Sequence, residues 1–399
     1  MKIADRINSI PASPTLAITA KAKALQADGV DVLSFGAGEP DFATPEPICQ
    51  AAIAAIQQGH THYTAVGGLP ALKEAIREYT VPRTSVQYSD QEIIASCGAK
   101  HTLYNLFLAM LDPGDEVIII APYWVSYPVM VQMAGGKPVI IRGAADNSFL
   151  PTPAQLDGAV SSRTRAIIIN NPSNPSGALW DADAMRSIAT WLERNPQVAV
   201  VSDAIYDALA YDGIRVDELL HVAPALRSRY VHVNGISKAF AMTGWRLGWA
   251  CGPAEIVSAM QKLQSQSTSN PTSITQHAAI AACHLGEEVI APMRSTFQRR
   301  RDLISDGLRS LDGVTLVQPR GAFYAFPDFT AWIGRRTDDG TVIADDMSLA
   351  AWLLDRAQVA VVPGSAFGAP GFLRLSYATH DDNIEKGIQR LAQAAQYLD

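Results

Sequence analysis

Between about Pro45 and Gly286, short runs of β-branched and aliphatic residues alternate with stretches whose apolar positions recur at helical spacing. That alternation predicts stacked βαβ units around a largely parallel sheet, because parallel neighbours must be joined by a crossover, usually a helix. The runs that read as strands are Ile93–Cys97, Glu116–Ala121, Pro138–Arg142, Arg165–Asn170, Val198–Asp203, Tyr230–Asn234 and Leu247–Cys251. Leu103, Leu106, Phe107 and Met110 fall at i, i+3, i+4 and i+7, one face of a helix. Pro70 is placed to open another helix, carrying Leu72, Ile76 and Tyr79. Beyond Gly286 the rhythm breaks into a long charged helix around Met293–Leu311, short strands near Thr315–Gln318 and Phe323–Phe326, and a final helix from Asp382 to Leu398. The expected class is α/β: a large domain over 46–286 with a mostly parallel seven-stranded sheet, and a smaller α+β domain over 287–399. Residues 1–45, where no strand pattern is visible, join the smaller domain.

Composition narrows the function. At 399 residues, with 48% apolar and 18% charged residues, the chain is ordinary globular protein of two or three domains rather than a disordered one. A net charge of −7, with no basic run longer than Arg299-Arg300-Arg301, lacks the footprint of a nucleic-acid binder. Cys49, Cys97, Cys251 and Cys283 have neither C-x-x-C spacing nor a histidine ladder, so buried thiols are expected rather than zinc or disulfides. His60 and His62 have no third ligand at useful spacing, and no metal site is expected. Asp5, Arg6, Lys21 and Lys23 break any secretory apolar run, and no segment approaches the roughly 20 apolar residues of a membrane span. A cytoplasmic protein that touches no membrane is the expectation.

Five stretches carry chemistry. The first, Asn234-Gly-Ile-Ser-Lys238-Ala-Phe-Ala-Met-Thr-Gly244-Trp-Arg246-Leu-Gly248, follows a strand. A lysine that forms an imine needs a depressed pKa, which burial or a cation such as Arg246 provides, and the glycines let backbone approach a ligand. Taken alone, such a lysine is more often a solvated surface charge. Val201-Ser-Asp203-Ala-Ile-Tyr206 puts a carboxylate at the carboxyl end of a buried strand, where open α/β sheets bind ligands; a structural ion pair is the plainer explanation. Asn170-Asn-Pro172-Ser-Asn174-Pro175-Ser-Gly177 reads as a tight turn. Ser96-Cys-Gly98-Ala99-Lys100 passes from strand to helix, where unpaired N–H groups and the helix dipole suit a phosphate. Phe372-Leu-Arg374-Leu-Ser places a guanidinium fork, suited to a carboxylate, in an apolar strand.

Taken in their order along the chain, and over essentially the whole chain, these stretches resemble the class I and II aminotransferases, fold type I enzymes that use pyridoxal 5'-phosphate. The resemblance implies that Lys238 holds the cofactor as an imine and moves the substrate's Cα proton, and that Asp203 keeps the ring nitrogen protonated. Tyr206 and Asn174 would meet the ring hydroxyl, Trp124 would stack on the ring, and Arg246 with Gly98, Ala99 and Lys100 would hold the phosphate. Arg374, with Asn174 and Gly38, would bind the α-carboxylate of an amino acid or 2-oxo acid. In His60-Thr-His-Tyr63, Tyr63 would reach the phosphate of a partner subunit, making a homodimer with shared active sites. Ala99 stands where relatives often have Gly, and Ser176 where Thr is commoner.

The runs Ala-Pro-Tyr-Trp-Val-Ser-Tyr (121–127) and Ala-Met-Thr-Gly-Trp-Arg (241–246) are similar to the bacterial aspartate aminotransferase subgroup, which also contains prephenate and aromatic users. A dicarboxylate user needs a second cation. Gln264-Ser-Gln266 lacks the arginine that one branch supplies there, so Lys100 is the candidate. Pro11 stands where prephenate users often carry a basic residue, which favours L-aspartate with 2-oxoglutarate. The same fold and lysine also serve β-lyases and cyclopropane-forming synthases. A regulator built on the fold would need an added DNA-binding domain, for which residues 1–35 are too few.

Overall fold

The structure is a computed structural model that describes residues 1–8, 10 and 14–399, so the position of Pro11 lies outside the described residues. All seven expected strands form, and they make one sheet. Its order is Ile93–Ser96, Gly248–Cys251, Tyr230–Gly235, Ala199–Asp203, Thr164–Asn170, Glu116–Ala121 and Lys137–Arg142. Gly248–Cys251 runs antiparallel to both neighbours, and every other pairing is parallel. Because successive side chains point to opposite faces, the aliphatic runs feed two apolar layers at once. Ile118, Ile120, Ile167, Ile169 and Val200 enter one layer, and Val117, Ile119, Ile168 and Val201 the other.

The helices cover those layers for readable reasons. Ala182–Arg194 starts where Asp181 accepts the Ala184 N–H at 3.0 Å, and it buries Met185, Ile188, Ala189 and Leu192 at helical spacing. Pro70 does begin a helix, Pro70–Thr84, and the Leu103 periodicity becomes Ala99–Met110. The long charged helix runs Glu287–Arg309, starting earlier than its apolar pattern suggests, because Glu287 and Glu288 in the first turn suit the helix N-terminus.

Outside the large sheet, two expectations need correction. Thr315–Gln318 is not a strand; Thr315 makes only an isolated bridge to Asp328, which follows Pro327, a residue with no N–H to extend a ladder. The segment before Pro45 does contain a strand, Leu33–Ser34, parallel to Val359–Ala360. Two residues cannot display an alternation, so no pattern could reveal it. The expected Phe323–Phe326 strand narrows to Tyr324–Ala325, the edge of a three-stranded antiparallel sheet with Leu373–Ser376 at its centre and Val362–Pro363 opposite. The last helix is Asp381–Ala395.

The sheet fixes one end for function. Gly98, Trp124, Asn174, Tyr206 and Lys238 all follow the carboxyl ends of strands, where open parallel sheets leave a crevice. Gly248 closes this end, since a side chain there would run into the backbone of Gly98 and Ala99 at the start of the Ala99–Met110 helix. Gly248→Ala is therefore expected to cost about 1–3 kcal/mol of stability, as overpacked sites do. Urea unfolding checks this, and an unchanged midpoint would show that the strand and helix move apart freely.

Candidate active site

At the carboxyl end of Ala199–Asp203 the chain buries an aspartate. Asp203 is 3% exposed, and among the described residues no lysine or arginine makes an ion pair with it. Its Oδ2 accepts the Tyr127 hydroxyl at 2.6 Å and its Oδ1 the backbone N–H of Ile205 at 3.3 Å. Burial pushes the carboxyl up to about 6, against the pull of those two donors and of His232 and Lys238. The structural ion pair that would have made Asp203 unremarkable is not formed.

Lys238 follows Tyr230–Gly235 and is half-buried, its Nζ donating to the Gly38 carbonyl at 2.6 Å. Burial brings its pKa down to about 8; Glu39 opposes this, and Arg246, Arg374 and Lys100 add to it. Glu39 in turn accepts the Thr243 hydroxyl at 2.7 Å, tying the Gly36–Asp41 segment to the loop after the lysine. The expected role of Arg246 as a nearby cation therefore stands second to burial.

Arg246 bends back against Gly98. Its Nη1 donates to the Thr243 carbonyl at 2.9 Å, and a Cβ on Gly98 would lie 2.6 Å from its Nη2. Gly98, at φ +95°, also starts the Ala99–Met110 helix, whose first N–H groups have no acceptor within the helix. A guanidinium and a helix N-terminus thus converge on one turn. Beside them Lys100 holds its Nζ 4.9 Å from the centre of the Trp124 ring, a cation–π contact, and burial followed by Arg246 lowers its pKa.

Arg374, at the centre of the small antiparallel sheet, is 4% exposed. It donates to Asn174 Oδ1 at 3.1 Å and to the Gly36 carbonyl at 2.9 Å, and lies 4.6 Å from the Tyr324 ring centre and 5.0 Å from that of Phe367. Its Nε has no partner, and no acidic side chain pairs with it among the described residues. Tyr206 shares a hydrogen bond of 2.9 Å with Tyr324 over the same floor.

One cavity of about 690 Å³ gathers Gly38, Ala99, Lys100, Trp124, Asn174, Asp203, Tyr206, Lys238, Arg246 and Arg374. Gly98 sits behind it, against Arg246. Tyr63 is 90% exposed and lies outside the cavity of its own chain. Gln264 is wholly buried, donating to the Val66 and Ala95 carbonyls, so it does structural work. His60 stacks on His277 at 4.1 Å, and no group of metal-binding side chains forms among the described residues. Cys251 and Cys283 are buried, as expected, but Cys49 and Cys97 are only half-buried.

The sequence reading missed Glu39, Tyr127, Ser237, Thr243 and Tyr324, which also line the cavity. Tyr127, Ser237 and Thr243 stand within the quoted runs and Glu39 follows Gly38, and a hydroxyl adjoining Lys238 was a usable signal. Tyr324 had none, since it reaches the site only through the packing of the small sheet.

Comparison with known proteins places the chain in a family. A Geobacillus stearothermophilus protein named aspartate aminotransferase is 48% identical over 98% of both chains, and a Nitrosomonas europaea aspartate/prephenate aminotransferase is 44% identical over 98% of this chain and 99% of its own. The crystal structure of the Rhizobium meliloti aspartate aminotransferase, 44% identical, superposes over the full length of both chains with a TM-score of 0.97. The Thermus thermophilus aspartate aminotransferase with maleate, 40% identical, superposes at 0.91 over 99% of this chain and all of its own. Residues 30–391 match the family described as aminotransferase class I and II, and the chain belongs to that family.

Proposed function

We propose that this aminotransferase uses pyridoxal 5'-phosphate to exchange L-aspartate and 2-oxoglutarate for oxaloacetate and L-glutamate by a ping-pong route. The observation that carries the reading is Arg374, a guanidinium buried without an acid and facing the cavity that also holds Lys238 and Asp203. A buried cation is costly unless an anion meets it, and a substrate α-carboxylate is such an anion.

The donor set fits the cofactor. Arg246 and the helix start at Gly98 and Ala99 suit its phosphate, the uncompensated carboxylate of Asp203 suits a protonated ring nitrogen, and the depressed amine of Lys238 suits its aldehyde. When bound, pyridoxal phosphate supplies an aldehyde that condenses with amines and a ring that draws electrons from Cα. Lys238 Nζ would hold the cofactor's aldehyde and, when free, would carry a proton to and from the substrate Cα. Asp203 would keep a proton on the ring nitrogen, Trp124 would lie against the ring, and Tyr206 and Asn174 would meet its hydroxyl. Arg374, braced by Asn174 and the Gly36 carbonyl and sharing the cavity with Gly38, would turn Cα toward Lys238. Lys100 pairs with the second carboxylate of a dicarboxylic substrate.

The exposure of Tyr63 supports its reach to a neighbouring copy's phosphate, and hence a homodimer with shared sites. The seven-stranded sheet supports a large domain over 46–286, with 1–45 and 287–399 as the smaller one. Four free cysteines support the cytoplasm, and no described helix is long and apolar enough to cross a membrane. A second reading, aromatic amino acids or prephenate, is favoured by the cavity's volume and by the name of the Nitrosomonas relative.

Borohydride reduction of the holoenzyme, followed by peptide mass mapping, is expected to fix the cofactor on Lys238; attachment to another lysine would end the assignment. With a pKa about 8, the amine is neutral in about one molecule in ten at pH 7, against about one in three thousand for an ordinary lysine. Cofactor uptake by the cofactor-free protein should thus rise with pH and level off above about 8.

Arg374→Lys keeps the charge and loses the fork, so kcat/KM should fall at least about tenfold for every amino donor alike. A loss confined to dicarboxylates would mean that Arg374 reads the side chain instead. Lys100→Ala is expected to weaken aspartate and 2-oxoglutarate selectively while aromatic donors change little. Equal loss across a donor panel would remove Lys100 from the specificity role.

A further inference from the structure

Deepening the reading above, and resting on it, we propose that Tyr127 is a positioning residue that holds Asp203 as a carboxylate and so keeps the shared proton on the cofactor's ring nitrogen. Two bases, a carboxylate and a pyridine nitrogen, would compete for one proton at a carboxyl that is only 3% exposed. Which of them holds it depends on the donors already aimed at the carboxylate, because each such donor favours the charged form. Asp203 has two, and the Tyr127 hydroxyl at 2.6 Å is much the closer; the Ile205 N–H stands at 3.3 Å.

The other titratable groups facing Asp203 do not duplicate this contact. Tyr206 spends its hydroxyl on Tyr324 at 2.9 Å, Lys238 donates to the Gly38 carbonyl, and His232 on the adjoining strand has neither ring nitrogen in a hydrogen bond. Tyr127 is itself fixed. It is 2% exposed, its ring meets Trp124 edge-on at 5.3 Å, and its N–H donates to the Trp124 carbonyl at 3.0 Å. One residue therefore sets both the acid at the ring's nitrogen edge and the indole expected on its face. The sequence shows only a tyrosine three residues after Trp124.

Tyr127→Phe removes the hydroxyl and keeps the ring contacts. Wild-type and variant holoenzymes carrying cofactor labelled with nitrogen-15 in the ring would be titrated by NMR, with Asp203→Ala as reference. In wild type the ring nitrogen should be protonated near neutral pH, and Asp203→Ala should abolish this. In Tyr127→Phe the pH at which the signal crosses to the unprotonated shift should fall by about one to two units, the effect of losing a hydrogen bond to a charged group. Turnover should fall at least about tenfold, with KM for aspartate changed less than about twofold. A singly fluorinated tyrosine at 127, a stronger donor, should raise the crossing pH, and it serves if the phenylalanine variant folds poorly. A crossing pH unmoved in Tyr127→Phe, even with reduced turnover, would assign Tyr127 a purely structural part and overturn the proposal. If wild type shows no protonated ring nitrogen and Asp203→Ala matches it, the functional reading itself fails along with the proposal.

Discussion

Arg374 carries a positive charge to a position only 4% exposed, and among the described residues no carboxylate answers it. Desolvating a guanidinium is expensive, so the surroundings must supply what a counter-ion would have given. They do so with the Asn174 side-chain carbonyl, the Gly36 carbonyl and the faces of Tyr324 and Phe367. The four partners come from different parts of the chain: the loop after one large-sheet strand, the N-terminal segment, the small sheet, and the turn Gly364–Phe367. Holding the arginine therefore holds those parts together, and its buried Nε is left without a partner.

The same logic repeats on a smaller scale around the pocket. Asp203 is a buried acid with hydrogen-bond donors but no cation, and Lys238 a half-buried amine whose nearest partner is a neutral carbonyl. Behind them the charges are paired, although Asp207 Oδ1 and both His232 ring nitrogens have no hydrogen-bond partner. Asp207 meets Arg83 at 3.0 Å and Asn234 at 2.9 Å, and Glu218 accepts from Ser202 and Tyr230 with His232 beside it. Arg300 ties Asp41, in the segment that roofs the pocket, to Asp381 at the start of the last helix. Ion pairs run through the frame, while Asp203, Lys238 and Arg374 line the cavity without counter-ions among the described residues, an arrangement in which a rigid scaffold presents reactive side chains.

Much of this was legible in the chain. The seven strands of the large sheet follow from runs such as Glu116–Ala121 because a strand buried on both faces must be continuously apolar. The site positions follow because chemistry at strand ends imposes particular residues: a lysine after Gly235, a carboxylate ending Ala199–Asp203, glycine where φ is positive at 98. The two-residue strand Leu33–Ser34 and the loop at Thr315–Gln318 were not legible, since pairing there is set by what lies alongside rather than by periodicity.

The sequence by itself determined the α/β class and the strand ends that build the pocket, and through motif resemblance it singled out Lys238, Asp203, Asn174, Arg246 and Arg374 as candidates, because local pattern and residue chemistry are properties of short segments. Only the tertiary structure decided that Asp203 has no cationic partner, that Arg374 lies between two aromatic rings with one nitrogen free, and that Tyr127 and Tyr324 belong to the site. Those are relations between segments far apart in the chain, fixed by burial and packing across the fold. No spacing along a single stretch encodes them.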